Sequence, residues 1–397
     1  MAKPDLWDLP MIDVLNKELK GLLDQHYVLA ALAQSGCTRE DNFAGQGIIP
    51  QYDMPRNSVF KSSPELGTYN HHQCVVKWKD EYWCGWDNGI IDEDAPGQRT
   101  FVSRSRDGRE WSERILVADG DSEGGMFRVL GGLYPRGEKM YALIQEMWNA
   151  VKAEQAGMSI MDAGKTPFRN DLWVTENGTD WKVAQQGFLD AFITFEKPRV
   201  TRDGRLMVPT TLCPSWGPGV ALWPSDNPEE TPEVIAVPHS GTHGEGAFPY
   251  GQASWYTDDD GRIWMWWRDE SATGYLWVSL SEDGGQTWGQ IRRSNFPNSM
   301  VRIFAGRLSD GRFYLAGNPT RMLLDRNFFA LALSDDGAKF NKIFQLISAP
   351  THQSFGGQLK CHGFQYPSCL VDGDKMLMTY SVNKEDIEVG IIDTTAL

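Results

Sequence analysis

The octapeptide Ser281-Glu282-Asp283-Gly284-Gly285-Gln286-Thr287-Trp288 constrains the fold more than any other stretch of the chain. It has the form S-x-D-x-G-x-T-W, in which the Asp side chain closes a turn on its own backbone and Gly supplies a left-handed position. The terminal aromatic then tucks into the hairpin. Shorter relatives follow Ser105, Thr175 and Ser334; they are built on Asp107, Asn177 and Asp336 and end at Trp111, Trp181 and Phe340. Asp283 to Asp336 spans 53 residues, and Asn177 to Asp283 spans 106, twice that interval. Such a period marks a repeated supersecondary unit.

A second series of turns lies between them, at Lys79-Asp80-Glu81, Arg136-Gly137-Glu138, Asp203-Gly204-Arg205, Asp260-Gly261-Arg262, Asp310-Gly311-Arg312 and Asp372-Gly373-Asp374. Each separates two short apolar runs of strand character, such as Ile263-Trp264-Met265-Trp266-Trp267. A four-stranded blade needs roughly 50 residues, and 397 residues divided by 53 gives about 7.5 units. The expected fold is all-β: a seven-bladed β-propeller over residues 58–397, with six blades as the alternative. Six blades follow from the six turns, and the seventh from the N-terminal part together with the last strand. Closure of the ring protects sheet edges and gathers loops around a central pocket.

Ahead of the repeats, Met11, Val14, Leu15, Leu19, Leu22 and Leu23 fall on one helical face after Pro10. Residues 1–57 therefore read as a helical extension packed on the propeller. Its polar face mixes Asp, Lys and Glu, which argues against a membrane-surface role. No apolar run approaches the ~18 residues that span a bilayer, and Met1 to Asp5 lacks a signal-peptide pattern, so a cytoplasmic location is expected. The formal charge of −15 excludes a nucleic-acid backbone as the main partner. An anionic oligosaccharide remains compatible if arginines cluster locally. The six cysteines show no CxxC spacing and read as reduced thiols. Aromatic residues make up 12% of the chain, more than packing alone requires, and some are candidates for stacking on sugar rings.

Turns of this type in a propeller resemble the Asp-boxes of the sialidase superfamily. True sialidases use an arginine triad, a Tyr–Glu nucleophile pair and an Asp acid, and that set finds no matching positions here by sequence alone. Closer is a resemblance to sialidase-like propellers acting on uronic-acid glycans: ulvan lyases, rhamnose–glucuronate lyases and rhamnosyl-glucuronidases. It is carried by Tyr69-Asn70-His71-His72, Glu93 to Gln98, Arg302 to Arg312, Gly317-Asn318-Pro319, Tyr366-Pro367 and Tyr380 to Ile387. The resemblance implies a catalytic histidine in the first of these stretches.

β-Elimination at a uronate needs a cation on the carboxylate, a base for the C5 proton and an acid for the leaving oxygen. Proton-transfer candidates are His72, His71, His243 and Tyr366. In a regular strand His71 and His72 face opposite ways, so only one reaches the pocket. Substrate-binding candidates are Asn70, Gln73, Trp86, Tyr250, His362 and the arginines Arg128, Arg199, Arg268 and Arg302, which lie beside apolar segments. A hydrolase would instead use paired carboxyls, available among Asp92, Glu93, Asp94, Glu196, Glu245 and Asp269. Glu93 and Asp94 also suit a role in holding the Gly97-Gln98 turn. The leading expectation is a lyase acting on a rhamnose–glucuronate type of oligosaccharide; a glycoside hydrolase and a non-catalytic glycan-binding propeller are the alternatives. No cofactor is required. A structural calcium or zinc ion is compatible, although the His and Cys spacing matches no zinc motif.

Overall fold

The computed structural model describes residues 49–123, 125–148, 169–189, 192–213, 215–241 and 249–397. The helical extension expected over 1–57 lies almost wholly outside them. The described chain forms six antiparallel sheets, five of four strands and one of five.

The first blade runs from its inner strand Tyr69–Trp78 through Glu81–Gly89 and Arg99–Ser105 to the outer Ile115–Ala118. Four more blades repeat this order, with inner strands Met126–Arg136, the split pair Phe192–Ile193 and Arg199–Val200, Pro249–Thr257, and Phe304–Arg307. The sixth blade contains Phe364–Asp372, Lys375–Val382 and Asp386–Asp393, and takes its outer strand, Arg56–Phe60, from the start of the described chain. That closure corrects the expected seventh blade. The N-terminal strand and the last strand belong to one blade, and the division by 53 had counted residues outside the described strands as propeller.

Each blade has its Asp-Gly type turn between the first and second strands. The Asp-box turns sit between the third and fourth strands of the first, second, fourth and fifth blades, at the same end of the ring. The sixth blade has no such hairpin, because its outer strand arrives from the other end of the chain. In the full motif, Asp283 Oδ1 accepts from Ser281 Oγ at 2.8 Å and Thr287 N at 2.9 Å, and Trp288 Nε1 donates to Gly285 O at 3.0 Å.

These turns also fix neighbouring blades to one another. Gly178, in the second blade, lies over the Trp83 ring of the first, and a Cβ there would stand 2.1 Å from the indole. Apolar clusters fill every blade interface; Cys74, Trp83, Leu130 and Ile144, for example, join the first and second blades. Gly178→Ala is expected to lower stability by about 3 kcal/mol, from a strained backbone plus displacement of a buried indole. Gly204→Ala, also at positive φ but with nothing within 4 Å, should cost only about 1 kcal/mol. Urea unfolding of the two variants checks the contrast.

Candidate active site

At the ring end opposite the Asp-boxes lies a cavity of about 690 Å³, walled by side chains from all six blades, including His72, Asp94, Phe195, Trp216, Arg268, Arg326, Tyr366 and Lys384. The inner strands would ordinarily send alternate side chains sideways into the blade interfaces. Four of them break register instead, between His71 and Cys74, Leu130 and Gly132, Tyr250 and Ala253, and Gln365 and Ser368. Such bulges re-aim side chains next to functional sites. His72 and Tyr366 adopt left-handed φ of 51° and 57° at two of them. For non-glycine residues this costs on the order of 1–2 kcal/mol each and persists only where the surroundings impose it.

The bulge also corrects the expected alternation of the histidine pair. The His71 and His72 rings stand 4.6 Å apart, and His71 is 4.2 Å from the Tyr366 ring. His72 reaches the cavity wall, whereas His71 lies just behind it, fully buried. His72 Nδ1 is 2.9 Å from Asp87 Oδ2, and its Nε2 is 3.4 Å from Glu93 Oε1. Burial pushes the His72 imidazole down to about 3, against the opposing pull of Glu93, so the ring is neutral.

Tyr366 holds the floor. Its hydroxyl accepts from Arg268 Nη1 at 2.7 Å and donates to Gln252 Oε1 at 2.9 Å. Arg302 and Arg326 place their guanidinium carbons 5.3 and 5.8 Å from its ring centroid. Arg268 also pairs with Glu270 at 3.0 Å. Arg326, on the cavity wall, bonds the neutral Gln365 amide and has no carboxylate partner among the described residues. The aromatic wall includes Trp216 and Tyr250, whose rings stack at 6.4 Å and 15°.

Glu93 and Asp94 come from the loop after Glu81–Gly89. Asp94 N bonds Gln98 Oε1 at 3.0 Å, as a turn role requires, yet both carboxyls line the cavity. Burial opposes ionisation of Glu93, but the Lys384 ammonium on its Oε2 outweighs this and holds its carboxyl low. Burial and the adjacent Glu93 charge push Asp94 up to about 7.

Of the residues singled out in the sequence, His72, Tyr250, Arg268 and Tyr366 line the cavity. Asn70 and Trp86 bond each other at 3.1 Å inside the first blade. Gln73 lies behind the wall and donates to the Tyr366 carbonyl. Arg302 packs beneath Tyr366, 1% exposed. Arg128 pairs with Glu146 at 2.9 Å, and Arg199 donates to Ala305 O at 3.0 Å; neither lines the cavity. His362 is exposed and does not itself line the cavity. His243 and Glu245 lie outside the described residues. Sequence reasoning missed Gln252, Arg326, Phe195 and Trp216. Arg326 sits in Asp325-Arg326-Asn327 between Leu323-Leu324 and Phe328-Phe329, so it carries the same apolar-flank signal that singled out the other arginines, and that signal could have found it.

A family model described as BNR repeat-like domain matches residues 89–378. The chain belongs to the BNR repeat-like family. Among solved structures, it is similar to a protein of unknown function from Dyadobacter fermentans, with a TM-score of 0.64 at 14% identity, covering 86% of this chain and 98% of that one. It is also similar to the NanB sialidase of Streptococcus pneumoniae, with a TM-score of 0.61 at 13% identity over 89% of this chain and 72% of that one. The intramolecular trans-sialidase of Ruminococcus gnavus gives a TM-score of 0.60 at 13% identity over 86% and 98%. At these identities the likeness concerns the sialidase-like fold. No curated protein matches the sequence.

The site has a stability signature of its own. Lys384→Met, measured in buffer with chelator so that no stray cation replaces the ammonium, should destabilise by about 3–5 kcal/mol because Glu93 is left buried and unpaired. Adding Glu93→Gln should restore most of the loss, read by urea unfolding.

Proposed function

We propose that this BNR repeat-like protein is a glycoside hydrolase acting on a sugar that bears a carboxylate. The observation that carries the reading is Arg326, a guanidinium on the cavity wall whose only hydrogen-bond partner among the described residues is a neutral amide, beside the Tyr366–Arg268–Gln252 cluster. A buried cation of this kind is best satisfied by a bidentate anion, and a carboxylate fits its planar fork. Trp216 and Tyr250 offer the apolar platform that a sugar face needs.

In this reading Arg326 and Arg268 hold the carboxylate and thereby set the anomeric carbon over the Tyr366 hydroxyl. Tyr366 supports the positive charge that develops at that carbon, Asp94 protonates the departing oxygen, and water completes the cleavage. The arrangement follows the sialidase plan of clustered arginines, a tyrosine and an acid on a loop. It departs at Gln252, an amide where a Tyr–Glu pair would have a carboxylate. An amide cannot take the phenolic proton. Tyr366 therefore keeps its proton on Gln252 Oε1 and meets the developing positive charge with an oxygen lone pair, while Arg268 Nη1, 2.7 Å away, fixes the hydroxyl in place.

Gln252 also favours a second reading, β-elimination at a uronate. Neutral His72 and Tyr366, with ring centroids 5.7 Å apart, would exchange the protons while the arginines acidify the C5–H. Carboxylated oligosaccharides incubated with the protein and analysed by mass and ultraviolet absorbance separate the two. Hydrolysis gives products that sum to substrate plus one water and no new absorbance. Elimination gives no water gain and an unsaturated uronate chromophore, and that result would overturn the hydrolase reading. Tyr366→Phe and Asp94→Asn should each reduce kcat by about 10²–10⁴-fold. Arg326→Ala should raise KM mainly, by about 10–100-fold. Undiminished turnover in Tyr366→Phe would remove that residue from the reaction.

A further inference from the structure

Among the buried side-chain atoms without a hydrogen-bond partner in the described residues, one is a histidine nitrogen just behind the cavity wall. His71 is fully buried, its Nδ1 is engaged with Ser381 Oγ at 2.7 Å, and its Nε2 has no hydrogen-bond partner. A buried ring nitrogen without a partner costs on the order of 1–3 kcal/mol, so a retained one asks for an occupant. The neighbouring groups supply the chemistry. His72 Nδ1 faces Asp87 Oδ2 at 2.9 Å and its Nε2 faces Glu93 Oε1 at 3.4 Å, so with the ring proton on Nδ1 the Nε2 lone pair is turned toward Glu93. The His71, His72 and Glu93 donor atoms all lie within 4.8 Å of one another.

We propose that His71, His72 and Glu93 form a binding site for one divalent first-row transition-metal ion, with zinc as the representative occupant, on the cavity wall. Ligands about 2.0–2.1 Å from zinc at tetrahedral angles stand roughly 3.3–3.4 Å apart. The His72–Glu93 pair already has that spacing at 3.4 Å, and the remaining pairs, within 4.8 Å, need to close by about 1.5 Å at most. Two imidazoles and one carboxylate suit zinc, cobalt, nickel, iron or manganese. Calcium, which takes six or more oxygens, is excluded by the same donor set.

The surroundings are those of a metal site. Asp87 on the far nitrogen of His72 and Ser381 on that of His71 orient the rings, as outer partners of metal-bound histidines do. Asp87 is itself held by the Leu130 amide at 2.7 Å. Lys384 occupies Glu93 Oε2 and leaves Oε1 for the ion. The left-handed His72 backbone then has a purpose, since a regular strand would turn the two rings to opposite faces. His72 and Glu93 line the cavity, so the open coordination position would meet a bound sugar oxygen or a water there. This site stands or falls independently of the role given to Tyr366.

The test uses the full chain, stripped with chelator and titrated with zinc sulfate by calorimetry, with bound metal counted after desalting. One zinc per chain is expected, together with a rise in thermal midpoint. X-ray absorption of the wild-type zinc complex should show two imidazole nitrogens and at least one oxygen, a readout that needs no variant to fold. His71→Ala and Glu93→Gln should abolish stoichiometric binding, and Ser381→Ala should weaken it about 10-fold. His362→Ala, at an exposed residue that does not itself line the cavity, should leave binding unchanged. No stoichiometric zinc, a coordination shell lacking two imidazoles, or full retention in folded His71→Ala would each overturn the site and leave a proton as the bridge between His72 and Glu93.

Discussion

The propeller depends at its axis on one buried cation. Between Ile193 and Arg199 the inner strand of the third blade is interrupted, and Lys197 runs into the centre of the ring. Its ammonium donates to Val75 O in the first blade and Cys369 O in the sixth, both at 2.7 Å. Arg199 reaches the other way, to Ser254 in the fourth blade and Ala305 in the fifth. Inner strands at a propeller axis have main-chain carbonyls with no strand partner on one side, and each must find a donor or lose about 1–3 kcal/mol. Two long cationic side chains from one blade answer this need at a carbonyl in three others, and Arg199 also holds the Ser254 hydroxyl of the fourth blade. Burial pushes Lys197 down to about 8 despite the adjacent Glu196 carboxylate, still high enough to keep it charged near neutral pH.

With the axis closed from below, the cavity above it becomes a cup rather than a channel. The bulges in the inner strands then do the local work. They cost backbone strain at His72 and Tyr366, and the compensation comes from polar contacts: Asp87 onto His72 within the first blade, and between blades Gln73 onto the Tyr366 carbonyl and Arg268 onto the Tyr366 hydroxyl. The net charge of −15 does not carry into this cup. Arginines gather around Tyr366, while the acids Glu93 and Glu270 are each paired with a cation. The proposed anionic sugar would thus meet local cations within an acidic protein.

Much of the scaffold was legible because its signals are local. The Asp-box and Asp-Gly turns are set by contacts within a few residues, and each lies where the sequence placed it. The blade number was not local: it turned on whether Arg56–Phe60 starts a new sheet or completes the last one, a pairing 330 residues apart that no turn signal encodes. The site was half legible. His72, Arg268 and Tyr366 stood out by residue type in strand context. Their geometry did not, because a β-bulge inverts the rule of alternating faces, and nothing in Asn70-His71-His72-Gln73 announces one. Gln252 and Arg326 matter through partners about 114 and 39 residues away. Asn70 and Trp86 attracted notice as polar and aromatic groups beside histidines, but in the fold they satisfy each other.

The central claim is that this cavity is built to orient a sugar by its carboxylate. A crystal structure of the protein soaked with a carboxylated monosaccharide, uronic or nonulosonic, tests it most directly. The account predicts the carboxylate within hydrogen-bond distance of Arg326 and Arg268, the ring against Trp216 or Tyr250, and the anomeric carbon next to the Tyr366 oxygen. A sugar bound with its carboxylate turned away from both arginines, or bound outside this cavity altogether, would contradict it.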